Sequence, residues 1–215
     1  MSASPLLLAL DTSTSTASVA LFDGQRVVSE TTWLAGREHS TRLLVEMEVA
    51  LERVGRTEQE VTGLAVARGP GSFTGVRVAL SVAKGMAAGL GIPLWGVSSL
   101  DVLALAAGEV DLPVRAVLEA GRGRYASGLY RGKAAVEPPR LATLDELITL
   151  LHQETLVIGE LAPDARERLK SRTPARLADP AACVRRAGFL AELGWRMAQR
   201  GEPGDPARVD AVYIS

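Results

Sequence analysis

The apolar positions of the chain change period along its length, and the changes mark out its elements. Residues 6–10 form a short apolar run that stops at Asp11. A hydroxyl-rich turn follows over 12–16, then a second apolar run over 17–22. Asp23-Gly24 is a hairpin signal, and 27–33 returns as a third strand. Over 38–54 the spacing becomes helical: Leu43, Met47, Ala50, Leu51 and Val54 share one face. Leu44, Val45 and Val49 widen that apolar surface well beyond one stripe. Residues 62–67 read as a buried strand, 74–90 as a helix and 94–97 as a strand. Ser98 or Ser99 then caps a helix in "LDVLALAAG".

Pro113 marks a boundary, and the opening order then recurs. Residues 114–119 form a strand ending in Glu119, 124–130 pairs back on it, and Gly132 turns the chain. Laying Asp11 over Glu119 without gaps matches Leu10 with Leu118, Leu21 with Leu129, Phe22 with Tyr130 and Gly24 with Gly132. Two related halves are expected, 1–110 and a smaller 111–215. The remainder predicts a helix over 144–153, a strand over 155–158, a basic helix over 162–172 and an amphipathic helix over 181–200. The turn-rich "GEPGDPAR" and the terminal "VDAVYIS" follow, and the pattern assigns the latter no packing.

Composition narrows the function classes. A chain of 215 residues, 47% hydrophobic but only 4% aromatic, builds a sizeable core from small aliphatic side chains. With 24 Lys+Arg against 25 Asp+Glu the net charge is −1, so bulk electrostatics do not favour nucleic acid. Cys183 is the only cysteine, which excludes a disulfide framework and a thiolate zinc cage. The N-terminal apolar run is short and lacks a basic flank, and no window approaches a membrane span. The expectation is a cytoplasmic protein with no membrane partner.

"RGPGSFTGVR", residues 68–77, looks at first like a phosphate cradle. A Walker A loop needs a lysine after its second glycine, and here Val76 and Arg77 follow Gly75. The dinucleotide fingerprint needs glycine at 74, which is Thr74. The segment reads instead as a strand-to-helix turn with Ser72 at the cap. The helix it launches is apolar almost all round, through Val76, Val78, Ala79, Leu80, Val82, Ala83, Met86 and Ala87, with Arg77, Ser81 and Lys84 as one narrow polar stripe. Such a helix is covered on more than one side. Gly75, Ala79 and Ala83 recur every four residues and would let a second helix come close; burial within the monomer is the competing reading.

Other chemistry is sparse. His39 and His152 stand on separate segments, and the position four residues after His39 is Leu43, so no metal pair forms. No serine occupies a nucleophile elbow. Asp11, Thr12, Ser13 and Thr14 make the best small-molecule candidate, since a carboxylate and hydroxyls at a strand end can hold a hydrated metal and phosphate oxygens. The same residues equally make a turn held by its own hydrogen bonds. The basic run "ARERLKSR" lacks an aromatic platform for RNA bases.

The succession "LALDTSTSTASVAL", "REHS", "ARGPGSFTGVRVALSVAKGMAAGLGIPLWGVSSLD" and "VLEAGRGRYASGLY" closely resembles the TsaB (YeaZ) family over residues 6–130. The resemblance implies an α/β fold of the actin/hexokinase/Hsp70 ATPase type, with two tandem subdomains and the second reduced. It implies a non-catalytic partner subunit in synthesis of threonylcarbamoyladenosine at position 37 of tRNA. The chain would bind a TsaD-like catalytic subunit, with a TsaE-like ATPase joining, touch tRNA only through that complex, and form a homodimer when alone. It would need no cofactor of its own, with ATP or ADP belonging to the complex. The resemblance places the docking surface on the helices over about 38–54 and 74–90, so the expected interface residues are Leu44, Val45, Val49, Val78, Ala79, Val82, Ala83 and Met86, while Asp11–Thr14 would be a vestigial nucleotide turn. An independent nucleotide-binding enzyme using Asp11 and Thr12 is the alternative. The chain departs from the family at Glu119, where Asp is expected, and at Gly121 and Gly123.

Overall fold

The computed structural model describes residues 4–35 and 39–214. The described residues form two compact units, one of 4–35, 39–69, 73–98 and 186–212, the other of 70–72, 99–185 and 213–214.

The first unit is a three-layer α/β/α arrangement. Strands β1 (Leu7–Asp11), β2 (Thr16–Phe22), β3 (Val27–Leu34), β4 (Gly63–Ala67) and β5 (Leu94–Val97) lie in the order β3-β2-β1-β4-β5. The β1–β2 and β2–β3 pairs are antiparallel, and β4 joins β1 and β5 in parallel. Helices α1 (His39–Arg53) and α2 (Phe73–Leu90) make the two crossovers. Both bury their apolar stripes in one cluster with Leu8, Leu10, Val19, Leu21, Leu64 and Val66. Period-2 alternation sends Leu7 to the opposite face. There α6 (Ala187–Gln199) approaches closely enough that a Cβ on Gly194 would fall 2.6 Å from the Ala65 Cβ.

The second unit repeats the plan. Its strands are β6 (Val114–Glu119), β7 (Arg124–Arg131), β8 (Ala134–Ala135), β9 (Arg140–Thr143), β10 (Leu156–Gly159) and β11 (Arg176–Leu177), in the order β11-β10-β6-β7-β8, with β9 also on β7. Position for position the strand order matches the first sheet, with the same parallel and antiparallel pairs. Helices α4 (Leu144–Leu150) and α5 (Pro163–Arg172) take the crossover places of α1 and α2.

Ladder register refines the expected repeat. Leu10 pairs with Val19, whereas Leu118 pairs with Ala126. Residues 12–17 separate the paired Asp11 and Ser18, but only 120–124 separate Glu119 and Tyr125. The second connection is one residue shorter, so the gapless match holds up to the turn and is one residue out beyond it. Such a slip exchanges the two faces of a strand, so the true counterpart of Phe22 is Leu129 rather than Tyr130. Gly121, Arg122 and Gly123 carry the tighter turn with φ of 73°, 53° and 68°. Left-handed backbone at these positions accounts for the two glycines.

The two units do not follow a single cut at residue 110. Helix α3 (Ser99–Ala106) follows the first sheet in sequence but packs on β6, β7 and β10 of the second. Helix α6 follows the second sheet but covers the first. Each sheet needs a helix on its remaining apolar face, and each receives the one that follows the other sheet. The expected helix over 181–200 also starts later, at Ala187. Before it the chain is held in the second unit, where the fully buried Arg185 pairs with Glu160. Helix α4 ends at Leu150 rather than 153.

Candidate functional site

Two groups of sequence-predicted residues meet in the first unit, and the structure treats them differently. The polar turn after β1 is closed. Asp11 is 1% exposed, and Thr12, Ser13 and Thr14 are buried with it. An Asp11 Oδ1 accepts from the Ser13 N–H at 2.7 Å, and Thr14 Oγ1 accepts from the Thr16 N–H at 3.3 Å. Thr12 is committed to α2: its hydroxyl donates to the Gly75 carbonyl at 2.6 Å and accepts from the Ala79 N–H at 3.1 Å. Those are the two groups an α-helix normally joins to each other. The hydroxyl thus inserts at one rung of the α2 ladder and fixes the helix to the end of β1. Ser18, the ladder partner of Asp11, has a buried hydroxyl without a hydrogen-bond partner.

The two helices present an open face. On α1, Leu44 is 54% and Val45 51% exposed, while Leu43, Met47, Ala50 and Leu51 point into the core. Val49 on α1 is half-buried, and Val78, Val82 and Met86 on α2 are half-buried along the margin of that core. Ala79 and Ala83 are a correction to the expected interface. Both are 0% exposed and pack in the chain's own cluster, so the element that comes close to the small-residue stripe is the sheet beneath. The outward side of α2 carries Arg77, Ser81, Gly85, Ala88 and Gly89. At its first turn the Arg77 guanidinium lies 3.7 Å from the Phe73 ring centroid, and Phe73 is itself largely exposed. Lys84, expected in the polar stripe, pairs with Asp210 at 3.1 Å.

The remaining candidates separate. The "REHS" segment includes Arg37 and Glu38, which lie outside the described residues, as does the side chain of His39. His152 is exposed in the second unit. Among the described residues no group of three His, Cys, Asp or Glu is placed to hold a metal ion. In the basic run on α5, Arg166 donates to the Ala178 carbonyl and Arg168 pairs with Asp145. No helix among the described residues is long and apolar enough to cross a membrane.

Two tyrosines of the second sheet are shifted. Burial, then the neighbouring Asp101 charge, pushes the Tyr130 phenol well above its ordinary value, and its hydroxyl donates to Asp101 Oδ1 at 2.7 Å. Burial, then Glu119 and Asp164, raises Tyr125. Neither was singled out for chemistry by the sequence pattern, and both tie strand to helix within the second unit.

The fold is that of the actin/hexokinase/Hsp70-type ATPases. A ROK family protein from Streptococcus pneumoniae superposes with a TM-score of 0.52 at 10% identity, covering 91% of this chain and 99% of that one. YeaZ from Pseudomonas aeruginosa is far more similar, with a TM-score of 0.80 and 27% identity over 98% of this chain and all of that one. The family model for TsaD, tRNA N6-adenosine threonylcarbamoyltransferase, matches residues 32–182. The tRNA threonylcarbamoyladenosine biosynthesis protein TsaB of Escherichia coli is 32% identical over 71% of this chain and 70% of its own length. That of Bacillus subtilis is 35% identical over 59% of this chain, a match spanning only about half, 56%, of that relative. The chain belongs to the family that this model describes and, within it, to the TsaB (YeaZ) members.

Proposed function

We propose that this protein is a TsaB-type partner subunit for the synthesis of threonylcarbamoyladenosine in tRNA. It docks through the outward faces of α1 and α2 on a TsaD-like catalytic subunit, which carries out transfer to adenosine 37, and a TsaE-like ATPase joins the assembly. The observation that carries this reading is the pair of adjacent half-exposed apolar side chains, Leu44 and Val45, on a helix whose inner stripe is already buried. With the half-buried Val49, Val78, Val82 and Met86 they make a surface whose burial on docking removes apolar area from water. In the absence of the catalytic subunit the same surface pairs two copies of this chain. The protein works in the cytoplasm, makes no direct use of a cofactor, and leaves ATP or ADP to the complex.

Hydrogen bonding at the polar turn supports a non-catalytic role. A nucleotide-binding carboxylate and hydroxyl must face the ligand, whereas an Asp11 oxygen caps its own turn and the Thr12 hydroxyl serves α2. Co-purification from lysate with identification by mass spectrometry, plus quantitation of the modified nucleoside in a strain depleted of the protein, tests the reading. Capture of a TsaD-like protein and loss of the modification are expected. Normal modification in depleted cells overturns it. Titration of the isolated chain with ATP, ADP and Mg²⁺ tests the alternative: micromolar binding lost in Asp11→Ala would mark an independent nucleotide-binding protein.

A further inference from the structure

The terminal segment, which the sequence pattern leaves without a place, runs as a strap from the edge of the first sheet to the turn that launches α2. After α6 the Trp95 indole N–H donates to the Glu202 carbonyl at 3.0 Å, and the Leu94 N–H donates to the Gly204 carbonyl at 3.0 Å. A short 3₁₀ turn over Pro206–Arg208 is capped by Asp205, whose Oδ1 accepts from the Ala207 N–H. Val209 then enters the main core cluster, 7% exposed. Asp210 pairs with Lys84 on α2, and the Val212 N–H donates to the Arg68 carbonyl at 2.8 Å. The Arg68 N–H in turn donates to the Val97 carbonyl.

The sheet is shaped for this strap. At Gly96 on β5, a Cβ would lie 2.6 Å from Val209 Cγ1 and 3.1 Å from Arg68 Cδ. At Gly204 it would lie 2.4 Å from Pro93 Cβ. Both glycines therefore provide the closeness that seats the strap. An edge strand leaves backbone groups unpaired, and the strap covers one such group at Leu94. Val209 is the anchor, because the Lys84–Asp210 pair is solvent-exposed and contributes little.

We infer that residues 204–212 position α2 for docking, with Val209 as the positioning residue that acts through Arg68 and the "RGPGSF" turn. The inference rests on the reading that α2 belongs to the docking surface. When the anchor is lost, the start of α2 is no longer held from the β5 side, and only a fraction of molecules presents the docking-competent surface. Apparent affinity falls by that fraction, so one competent molecule in ten means about tenfold weaker binding.

The test uses the full chain and the purified TsaD-like partner. Val209→Asp removes the anchor from the strap side, and Gly96→Ala dislodges it from the sheet side without placing a charge in the core. Each is expected to weaken partner binding about tenfold and to accelerate amide exchange in the first two turns of α2, while β1 amides stay protected. Asp210→Ala is expected to change neither. The exchange measurement needs no partner, so failure of the parent to bind overturns the docking reading and leaves the strap testable. Should Val209→Asp fail to fold, Gly96→Ala decides. Unaltered α2 exchange and parental affinity in folded Gly96→Ala overturn the inference, as does faster exchange spread evenly over the sheet.

Discussion

Val45→Arg and Ala83→Glu both place a charge on the helices proposed to face the partner, and their consequences should differ in kind. Val45 is 51% exposed, so a longer charged side chain reaches water without displacing core. Fully burying a valine side chain is worth ~1.5–3 kcal/mol, so covering its open half on docking contributes about 1 kcal/mol. Arginine at the centre of the same contact forfeits that and adds the cost of desolvating an unpaired charge, several kcal/mol. The complex should weaken by at least about 100-fold, a conversion at ~1.4 kcal/mol per decade, while the urea midpoint of the isolated chain moves little. Ala83 is 0% exposed and packed against its own sheet. Glutamate there has no room and no solvent, and a loss of more than about 4 kcal/mol, enough to unfold a marginal domain, is expected. Urea denaturation and size-exclusion co-elution, run on both variants, separate the two outcomes. A folded Ala83→Glu, or a Val45→Arg that co-elutes with the partner as the parent does, refutes the assignment of inner and outer faces.

Three further outcomes follow from particular contacts. Thr12→Val keeps the volume and removes the hydroxyl bridging Gly75 and Ala79, so urea denaturation should show a loss of about 1–2 kcal/mol from two buried hydrogen bonds; an unchanged midpoint would mean that the α2 ladder closes without it at no cost. Thr143→Ala removes the capping box with Glu146 at the start of α4 and should cost about 1 kcal/mol by the same measurement. Tyr130 has a folded-state value raised above the ordinary 10.0, so folding favours the neutral phenol. Its contribution is fully present below pH 10 and is lost as pH rises beyond it, with a slope approaching ~1.4 kcal/mol per pH unit. Denaturation across the alkaline range should show Tyr130→Phe flattening that decline, with Tyr125, also raised by burial, acting in the same direction.

The apolar runs and the helical period were enough to place nearly every large element, because the central strands of the first sheet are buried on both faces and read as continuous apolar runs, while α1 and α2 bury one face at the helical period. The end of β1 at Asp11, the Asp23-Gly24 turn and the span of α2 were all legible on that ground. The repeat was legible too, since the two sheets have the same strand order. Its register was not, because the pattern of residues does not disclose that residues 120–124 form a connection one residue shorter than 12–17.

The candidate site divided along the same line. An apolar surplus on α1 and α2 was written in the sequence, and so was the hydroxyl-rich turn. Which side of α2 faces water was not. Gly75, Ala79 and Ala83 form a stripe of small residues, and small residues suit a close approach by a partner helix or by the chain's own sheet equally well. Only the packing of α2 over β1 and β4 decided for the sheet. The exchange of α3 and α6 between units, the commitment of Thr12 to a helix more than sixty residues away and the strap over β5 are contacts between distant segments. Local periodicity reports how much apolar surface a segment must bury; which distant segment buries it is settled by the shape the folded chain leaves open.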